Sequence, residues 1–381
     1  MSSILRSPNT GVTPDQAGCW VVTEFGIPSM LQWKPWYQIP ELSADKVLVR
    51  IIVAGIAGVD NIQRAGGYPH PDTIKPGFTP GYDFVGEIVA FGESVPQDIQ
   101  LAPGDRVVSL CTTGAHATHI VISYTKLIRI ERTDDPLKVA SLPLNYMTAW
   151  GLLNRSGVQL KPGSSILIGS ASGGIGTAVA QLVTAFDMKI KMIGTCSPSK
   201  FDYLRSLGVE PVDRNAPDLV KQVRALANEG VDVAYDGVCS EDSLQKSLSA
   251  TKDNIGRVVV FGIMSEIAAD GSAMQHSVAE TLAARLQPRM SFGGIGSGFP
   301  TFHGASLVEF KAILEKVRRN KLTPSIAKLF PLRDAVEAHE HLVSGTAVKG
   351  KMLFLVDPDL AIQYGVAKTS DRTCRGIHEQ N

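Results

Sequence analysis

The sequence has few cysteines and no excess of charge of either sign. Its five cysteines are scattered over 381 residues, and no two of them form a C-x-x-C pair. An odd, dispersed set argues against a disulfide framework and is typical of a reducing compartment. Lys and Arg number 37 and balance 37 Asp and Glu. No overall electric field would therefore draw the protein to nucleic acid or to an anionic membrane.

Long apolar runs are also missing. No stretch approaches the roughly 20 apolar residues that a membrane-spanning helix needs, and residues 1–18 lack the continuous apolar segment of a secretory signal. We therefore expect a cytoplasmic protein without a membrane-spanning segment. The content of 44% hydrophobic and 19% charged residues indicates a globular protein, and its length suits two domains.

The first part of the chain has the pattern of a β-rich module. Short strand-like runs, separated by Gly, Pro and Asp, lie at 46–55, 84–92, 105–110 and 118–122. After them, apolar residues at helical spacing predict one helix over 137–156.

From residue 165 onward, strands and helices alternate. Strands are predicted at 165–171, 189–196, 210–214, 231–237, 256–262 and 289–296, and helices at 174–186, 200–208, 217–228 and 241–250. Six strands separated by such helices predict right-handed crossovers and a doubly wound parallel sheet. Residues 321–356 are expected to hold one amphipathic helix and one strand that rejoins the β-rich module. Residues 357–381 are expected to form a loose extension.

A glycine-rich stretch, GSASGGIGTAVAQL (169–182), follows the first of these strands and opens the next helix. Aligned with the dinucleotide fingerprint G-x-G-x-x-G, it has Ala171, Gly173 and Gly176 at the three glycine positions. Glycine there lets backbone amides and the positive end of the helix dipole approach a pyrophosphate, and an alanine fits the first position if its φ is negative. The expected cofactor-binding residues of this turn are Ala171, Ser172, Gly173, Gly174, Ile175 and Gly176. The alternative is a glycine turn of purely structural use.

The end of the second parallel strand bears on which nucleotide binds. An NAD-binding protein places Asp or Glu there, whereas this chain has Thr195, Cys196 and Ser197, followed by Lys200. The Ser197 hydroxyl and the Lys200 ammonium would suit a 2′-phosphate. Arg214, after the third strand, could stack on the adenine or add a second cation. These residues favour NADPH over NADH. The structural alternative makes Ser197 a helix N-cap and Lys200 a solvated helix residue.

Several stretches, taken together and in order, resemble the medium-chain dehydrogenase/reductase superfamily. They are AGIAGVDNIQRAGGYP (54–69), PGYDFVGEIVAFGESV (80–95), GDRV (104–107), LPLNYMTAWGLL (142–153), ASGGIGTAVAQL (171–182) and KGKMLFLV (349–356). The resemblance implies an α/β protein in which a GroES-like catalytic domain, residues 20–145 and 321–356, is split around a Rossmann domain, residues 146–320. The active site would lie in the cleft between the two domains, and residues 1–19 would form an N-terminal arm.

The alcohol-dehydrogenase branch of this superfamily carries zinc, so its ligands can be sought here. Where that branch has its first cysteine ligand, this chain has Ala57-Gly58-Val59, and where it has Gly-His-Glu, this chain has Gly81-Tyr82-Asp83. Cys111 and His116 lack an evident third ligand. We interpret them as a buried cysteine and a surface histidine, and we expect no metal site.

The missing zinc ligands limit the reactions that the protein is expected to catalyse. Alcohol oxidation would lose the ion that stabilises an alkoxide, whereas reduction of an activated C=C bond or of a quinone needs no such ion. The chain therefore resembles the zinc-free quinone oxidoreductases and enoyl reductases. TCSPSKF (195–201) and DFVGEIVAFG (83–92) also resemble trans-acting enoyl reductases of fungal polyketide synthases. The expected substrate is a small enone, enoyl thioester or quinone, or an acyl group bound to a carrier protein. The alternative of another class is a non-catalytic NADPH-binding scaffold.

The resemblance also implies catalytic residues in the cleft. Tyr68 matches a tyrosine proposed as the proton donor of related enoyl reductases, although it could equally be a loop tyrosine that packs beside its neighbouring proline. Asp60 and Asn61 match a polar pair near the nicotinamide. Thr148 resembles a threonine that faces the nicotinamide, with a helix threonine bonded to its own backbone as the alternative.

The remaining predictions concern the far end of the parallel sheet. Gly262 and Ile263 follow the fifth strand and are expected to let the cofactor pass over its carboxyl end.

His339 and His341 are interpreted as surface residues of the late amphipathic helix. The resemblance also makes a homodimer, paired through the strand at 289–296, a plausible assembly.

Overall fold

The structure, a computed structural model, describes residues 17–36, 38, 40–293, 305–344 and 348–367. Its strands are β1 (Gly18–Val22), β2 (Leu31–Pro35), β3 (Lys46–Ile56), β4 (Asp83–Phe91), β5 (Arg106–Leu110), β6 (His119–Ser123), β7 (Leu127–Arg129), β8 (Ser165–Ile168), β9 (Lys191–Cys196), β10 (Glu210–Asp213), β11 (Val233–Asp236), β12 (Arg257–Val260), β13 (Met290–Phe292), β14 (Ile326–Pro331) and β15 (Lys351–Leu355). Its helices are α1 (Gly58–Arg64), α2 (Pro136–Ala140), α3 (Leu142–Arg155), α4 (Gly174–Ala185), α5 (Phe201–Ser206), α6 (Leu219–Ala227), α7 (Glu241–Ala250), α8 (Val278–Arg285), α9 (Ala305–Arg318), α10 (Ala335–Val343) and α11 (Pro358–Gln363).

Six parallel strands form one sheet in the order β10-β9-β8-β11-β12-β13. Counted from β8, this is the order 3-2-1-4-5-6 of a doubly wound dinucleotide-binding sheet, so the predicted parallel sheet is confirmed. The last predicted strand extends to residue 296, and residues 294–296 lie outside the described ranges. Because the strands are parallel, their carboxyl ends share one edge of the sheet, where ligands bind.

The β-rich part of the chain forms a second sheet in the order β14-β15-β3-β4-β5-β7, with β6 also paired to β3. β15 runs antiparallel to β3, with Met352 opposite Ile56, so the late strand rejoins this module as predicted. The prediction of a single strand in this region is wrong because β14 pairs in parallel with β15. β14 is an edge strand whose residues are mostly half-buried or exposed, and this leaves no alternating apolar pattern to read.

The helix predicted over 137–156 is two helices. α2 ends at Ala140, and Ser141 stands between it and α3, in which proline occupies the first turn. A proline has no backbone N–H and cannot continue the hydrogen-bond ladder of α2, so the helix restarts there.

The prediction of a loose extension after residue 356 is also wrong for its first part. α11 begins after Asp357, whose Oδ1 accepts hydrogen bonds from the amides of Asp359 and Leu360. Its other oxygen pairs with Arg50 at 2.7 Å. Ala361 is buried, so this helix is docked on the protein rather than extended into solvent.

One hydrophobic core continues through both sheets. Val53 of β3, Leu152 of α3, Val179 of α4 and Val259 of β12 belong to the same buried cluster, so α3 and α4 join the modules rather than merely connect them. In the described ranges, no helix combines the length and apolarity that crossing a bilayer requires. The four cysteines in these ranges are free and buried.

Candidate active site

A cavity of about 360 Å³ lies between the carboxyl ends of the parallel strands and the β-rich module. One wall comes from the turns after β8, β11 and β12. The other comes from the end of β3, from α1 and from the loop that contains Tyr68. Most of the lining side chains are apolar, among them Ile56, Ile62, Leu144, Met264, Val278 and Met352. Such an apolar lining is typical of sites for small molecules and cofactors.

The glycine-rich turn borders this cavity at the start of α4. Ser170 is its left-handed residue, with a φ of 52°, and Ala171 is not among the residues of positive φ, so the alanine fits. A Cβ on Gly176 would lie 2.6 Å from the Cα of Ala171, which only glycine allows. Gly173 and Gly174 line the cavity. The first amides of a helix have no intrahelical partner and form the positive end of its dipole. This turn therefore fits a pyrophosphate.

Gly262 and Ile263 also line the cavity, at the end of β12. A Cβ on Gly262 would lie 2.7 Å from the carbonyl oxygen of Gly237, so the turns after β11 and β12 are in close contact there. Both residues are therefore placed where a cofactor would cross the strand ends.

Lys200 is buried, with 5% of its surface exposed, and its interpretation as a solvated helix residue is wrong. Its Nζ donates hydrogen bonds to Ser172 Oγ at 3.2 Å and to the carbonyl of Val348 at 2.7 Å. Burial lowers the pKa of Lys200, and the nearby cations Lys349 and Arg214 lower it further. Among the described residues, no carboxylate forms an ion pair with Lys200. Three cations thus lie close together beside the cofactor turn.

Ser197 and Arg214 stand at the same edge of the sheet. Ser197 precedes a short 3₁₀ turn, but its side chain makes no capping hydrogen bond. Its Oγ lies 3.3 Å from Ser199 Oγ, so the interpretation of Ser197 as a side-chain N-cap is wrong. The side chain of Arg214 is exposed, while its backbone amide bonds to the Cys196 carbonyl. Both side chains are accessible to a ligand bound at the end of β9.

Tyr68 lines the cavity from the β-rich side. Its ring packs edge-on against that of Tyr82, with the centroids 5.8 Å apart, and its carbonyl accepts a hydrogen bond from Thr73 Oγ1. Burial raises the pKa of Tyr68, so the phenol keeps its proton at neutral pH. It can therefore donate a hydrogen bond or a proton into the cavity.

Thr148 and Asn145 face the cavity from consecutive turns of α3. Thr148 is 3% exposed, and its Oγ1 has no hydrogen-bond partner in the described part of the chain. The alternative in which this hydroxyl bonds to its own helix is therefore wrong. Asn145 was not predicted from the sequence, although its i, i+3 relation to Thr148 could have indicated it. A Cβ on Gly174 would lie 2.4 Å from Asn145 Nδ2, so this amide group touches the cofactor turn.

Asp60 and Asn61 lie on α1 but are not among the residues that line the cavity. Asp60 Oδ2 accepts a hydrogen bond from the amide of Ala57 at 2.8 Å, and Asn61 Oδ1 accepts one from Arg64 Nη1 at 2.7 Å. The start of α1, residues 57–59, borders the cavity instead. The predicted pair is thus buried behind the cavity wall.

A buried ion pair, which the sequence did not reveal, supports the cavity floor. Lys351 lines the cavity and is 2% exposed. Its Nζ lies 3.1 and 3.2 Å from the two oxygens of Asp83, and Asp83 Oδ2 also accepts from the amide of Leu144 at 3.0 Å. The pair therefore links β15, β4 and the start of α3.

His116 and His339 are fully buried, so both predictions of surface histidines are wrong, whereas His341 is half-buried. His339 can be buried because Arg64 Nη1 lies 2.6 Å from its Nδ1 and gives the ring a buried hydrogen-bond donor. His116 Nε2 lies 3.0 Å from the Gly55 carbonyl. Burial lowers the pKa of His116 to about 4, so this ring is neutral at pH 7.

Known proteins resemble this chain in sequence. The family model for zinc-binding dehydrogenases matches residues 174–295, and that for the alcohol dehydrogenase GroES-like domain matches residues 43–132. A probable quinone oxidoreductase of Schizosaccharomyces pombe is 31% identical over 328 residues, which cover 85% of this chain and 93% of the relative. The chain belongs to the medium-chain dehydrogenase/reductase superfamily. Within this superfamily it is quinone-oxidoreductase-like, and it is therefore an oxidoreductase.

Solved structures of the superfamily share the fold. The Escherichia coli quinone oxidoreductase complexed with NADPH has a TM-score of 0.73 at 23% identity, covering 89% of this chain and 100% of the other. The CurK enoyl reductase has a TM-score of 0.72 at 22% identity, covering 90% of this chain and 99% of the other. The GroES-like and Rossmann modules are thus confirmed as the two parts of this fold.

The zinc site of the alcohol-dehydrogenase branch does not fit the residues present. Residues 57–59 offer no thiolate or imidazole, and both oxygens of Asp83 are taken by Lys351. Cys111 Sγ contacts the carbonyl oxygens of Gly81 and Tyr82 at 3.5 and 3.4 Å, and burial raises the pKa of this thiol. In the ranges that the structure describes, no three His, Cys, Asp or Glu side chains are grouped to hold a metal.

Proposed function

We propose that the protein is an NADPH-dependent, zinc-independent reductase of an activated C=C bond, in an enone or enoyl thioester, or of a quinone. The observation that carries the proposal is the single cavity that extends from Gly173 and Gly174 to Tyr68 and Thr148. It brings a turn suited to phosphate into the same space as hydroxyl groups suited to a reacting substrate. The NADPH named for the E. coli structure of the same fold supports the choice of cofactor.

The chain offers binding groups for three parts of this cofactor. The glycine turn at residues 172–176 would hold the pyrophosphate, and Gly262 and Ile263 would border the nicotinamide half. Lys200, with Lys349 and Arg214 nearby, would hold the 2′-phosphate, since closely spaced cations without carboxylate partners favour a phosphate. When bound, NADPH supplies the hydride.

The residues around the substrate have three tasks. The apolar lining keeps water away from the reacting atoms. The Thr148 hydroxyl, which has no partner in the described ranges, and the Asn145 amide group both border the cavity and can orient a polar group beside the cofactor turn. Tyr68 donates a hydrogen bond to the oxygen on which negative charge develops, or a proton to the neighbouring carbon. None of these tasks uses a metal ion. The side chains at the positions of the zinc ligands support a reaction without one.

The test is oxidation of NADPH, with NADH in parallel, by the purified protein. The acceptors are a quinone, a small enone, an enoyl-pantetheine thioester and the same enoyl group on an acyl carrier protein. We expect turnover with NADPH preferred, and the best acceptor identifies the substrate class. Turnover confined to the carrier-bound enoyl group would indicate a trans-acting enoyl reductase. Tight NADPH binding without turnover of any acceptor would overturn the proposal and indicate a scaffold.

We also propose that the protein works in the cytoplasm as a homodimer. Free, buried cysteines at the described positions are compatible with a reducing compartment. Among the described strands, β13 pairs only with β12 and stands at the edge of the parallel sheet, where a second copy could extend it. Size-exclusion chromatography with light scattering measures the molecular mass of the purified protein and so tests the dimer. The mass of a monomer would overturn it.

A further inference from the structure

One end of the cavity is formed by apolar side chains from both modules. Tyr68 and five other residues that line the cavity belong to one hydrophobic cluster. The five, here called the apolar subsite, are Val59 and Ile62 of α1, Ile263 after β12, Val278 of α8 and Phe292 of β13. Three of them, Val59, Val278 and Phe292, are only half-buried, so the packing of the protein leaves part of their apolar surface uncovered. Uncovered apolar surface in a cavity is typical of a binding site.

Met264 adds to this subsite from the turn that follows β12. It lines the cavity and is 40% exposed. A Cβ on Gly58 would lie 3.5 Å from Met264 Sδ and 3.6 Å from its Cε, so the end of this side chain lies against the start of α1. The methionine thus extends from the parallel-sheet module to the β-rich module. A flexible thioether in this position can adapt to the shape of a bound group.

A buried carboxylate anchors the turn that carries Met264. Glu266 is 0% exposed, and its Oε1 lies 2.6 Å from Arg285 Nη2 of α8. The amide of Ser265 donates a hydrogen bond to the carbonyl of Val238 at 2.9 Å, just after β11. Met264 therefore projects toward the cavity from an anchored backbone.

The cavity lining carries little charge. Among the described residues that line the cavity, Lys351 alone is charged, and its ammonium is paired with Asp83. A charged group is costly to bury unless a partner pairs with it. The part of a ligand that enters the apolar subsite is therefore uncharged.

We propose that the apolar subsite binds an uncharged hydrocarbon group of the substrate, and that Met264 determines how long a group is accepted. The proposal rests on the reductase function proposed above and narrows its substrate class. The substrate is an enone, enoyl thioester or quinone that bears an alkyl chain or an apolar ring. Tyr68 lies in the same cluster as the subsite, so a group bound there holds the rest of the substrate beside Tyr68. Burial of the hydrocarbon group thus contributes to orienting the reacting atoms.

The first test is the steady-state reduction of two series of enones by NADPH and the full-length protein. In one series the alkyl chain lengthens on the β-carbon, and in the other it lengthens on the carbonyl carbon. In at least one series, we expect kcat/KM to rise about fourfold for each methylene group that enters the subsite. A carboxylate in place of the terminal methyl group should lower kcat/KM by about tenfold or more.

The outcomes for the subsite and for the reductase function are separable. Values of kcat/KM that are independent of chain length in both series, or higher for the carboxylate, would overturn the apolar subsite while the reductase function stands. Oxidation of NADPH by none of the enones, enoyl thioesters and quinones would overturn the reductase function.

A binding measurement tests the subsite without turnover. Saturated methyl alkyl ketones have no C=C bond to reduce, and they can be titrated into the full-length protein by calorimetry in the presence of NADP⁺. We expect Kd to fall about fourfold per methylene group, with a negative heat-capacity change. A Kd that is independent of chain length would contradict an apolar subsite.

Met264→Ala tests the role of this side chain in specificity. We expect kcat/KM to fall about tenfold for the longest chains, since the lost contact is equivalent to about two methylene groups, and to stay unchanged for methyl vinyl ketone, the shortest member of both series. The control is Ile255→Ala, which truncates a side chain that is 72% exposed before the opposite end of β12. This variant should match the wild type at every chain length. Equal losses for short and long chains in Met264→Ala would overturn the role of Met264.

Discussion

Lys200 Nζ donates a hydrogen bond to Ser172 Oγ at 3.2 Å, which ties the short turn after β9 to the glycine turn after β8. The same ammonium donates to the carbonyl of Val348, which lies just before β15. One buried cation thus joins the turn suited to phosphate to the β-rich module. Its oxygen acceptors are neutral, so its charge remains available to an anionic ligand.

Lys200→Gln removes that charge and keeps a side chain that can donate to Ser172. We expect the KM for NADPH to rise by about tenfold or more, because a hydrogen bond to a charged group contributes about 1.5–3 kcal/mol. The KM for NADH should change little. Steady-state kinetics with both cofactors measure the effect, and Lys221→Gln, at an exposed lysine, is the control. Equal losses with both cofactors would contradict a role in 2′-phosphate binding.

Gly176→Ala introduces a Cβ 2.6 Å from the Cα of Ala171. Since backbone must move to relieve this contact, we expect the free energy of unfolding to fall by about 1–3 kcal/mol and NADPH binding to weaken. Urea unfolding and a fluorescence titration with NADPH measure the two effects. Gly58→Ala is the stability control because its Cβ would meet Met264 Sδ at an ordinary 3.5 Å. Equal stability of the two variants would show that the turn is not so closely packed.

Asp83→Asn leaves the ammonium of Lys351 buried without its counter-ion. Breaking one side of a buried pair costs about 3–5 kcal/mol, and we expect a loss of that size in the free energy of unfolding, measured by urea titration. Asp187→Asn also removes one partner of an ion pair, with Lys189. That pair is exposed, so its loss should cost no more than about 1 kcal/mol. Similar losses for the two variants would mean that water reaches Lys351.

The raised pKa of Asp60 makes stability depend on pH. The folded protein keeps a proton up to a pKa of about 7, whereas the unfolded chain loses it near the ordinary value of 3.8. This contribution to stability is therefore complete below the unfolded pKa and declines between the two values, at up to about 1.4 kcal/mol per pH unit. Asp60→Asn lacks it, so the stability of the variant relative to wild type should rise with pH. Urea unfolding across this pH range measures the difference, and parallel curves would contradict the shift.

The central strands β8, β11 and β12 were predictable because each is a short, largely apolar run. All four residues of β8, Ser165–Ile168, are buried, and the chain turns immediately after them at Gly169 and Ser170. β14 escaped prediction because an edge strand with exposed residues has no such run.

The candidate site was predictable only in part. The glycine turn, Tyr68 and Thr148 belong to local motifs, and all of them border the cavity. The burial of Asp60 away from the cavity was not predictable, because the face that α1 presents depends on what packs against it. Lys351 was missed for a similar reason, since its partner Asp83 is 268 residues away in the chain.

By itself, the sequence determined the alternation of strands and helices in the parallel sheet and the chemistry of the glycine turn. These depend on periodicity, on backbone freedom and on residues a few positions apart. Only the tertiary structure decided which polar side chains are buried. The burial of Lys200 depends on a hydrogen bond to a carbonyl 148 residues away in the chain. That of His339 depends on an arginine 275 residues away. A polar group can be buried only where partners satisfy it, and here the fold brings those partners from distant parts of the chain.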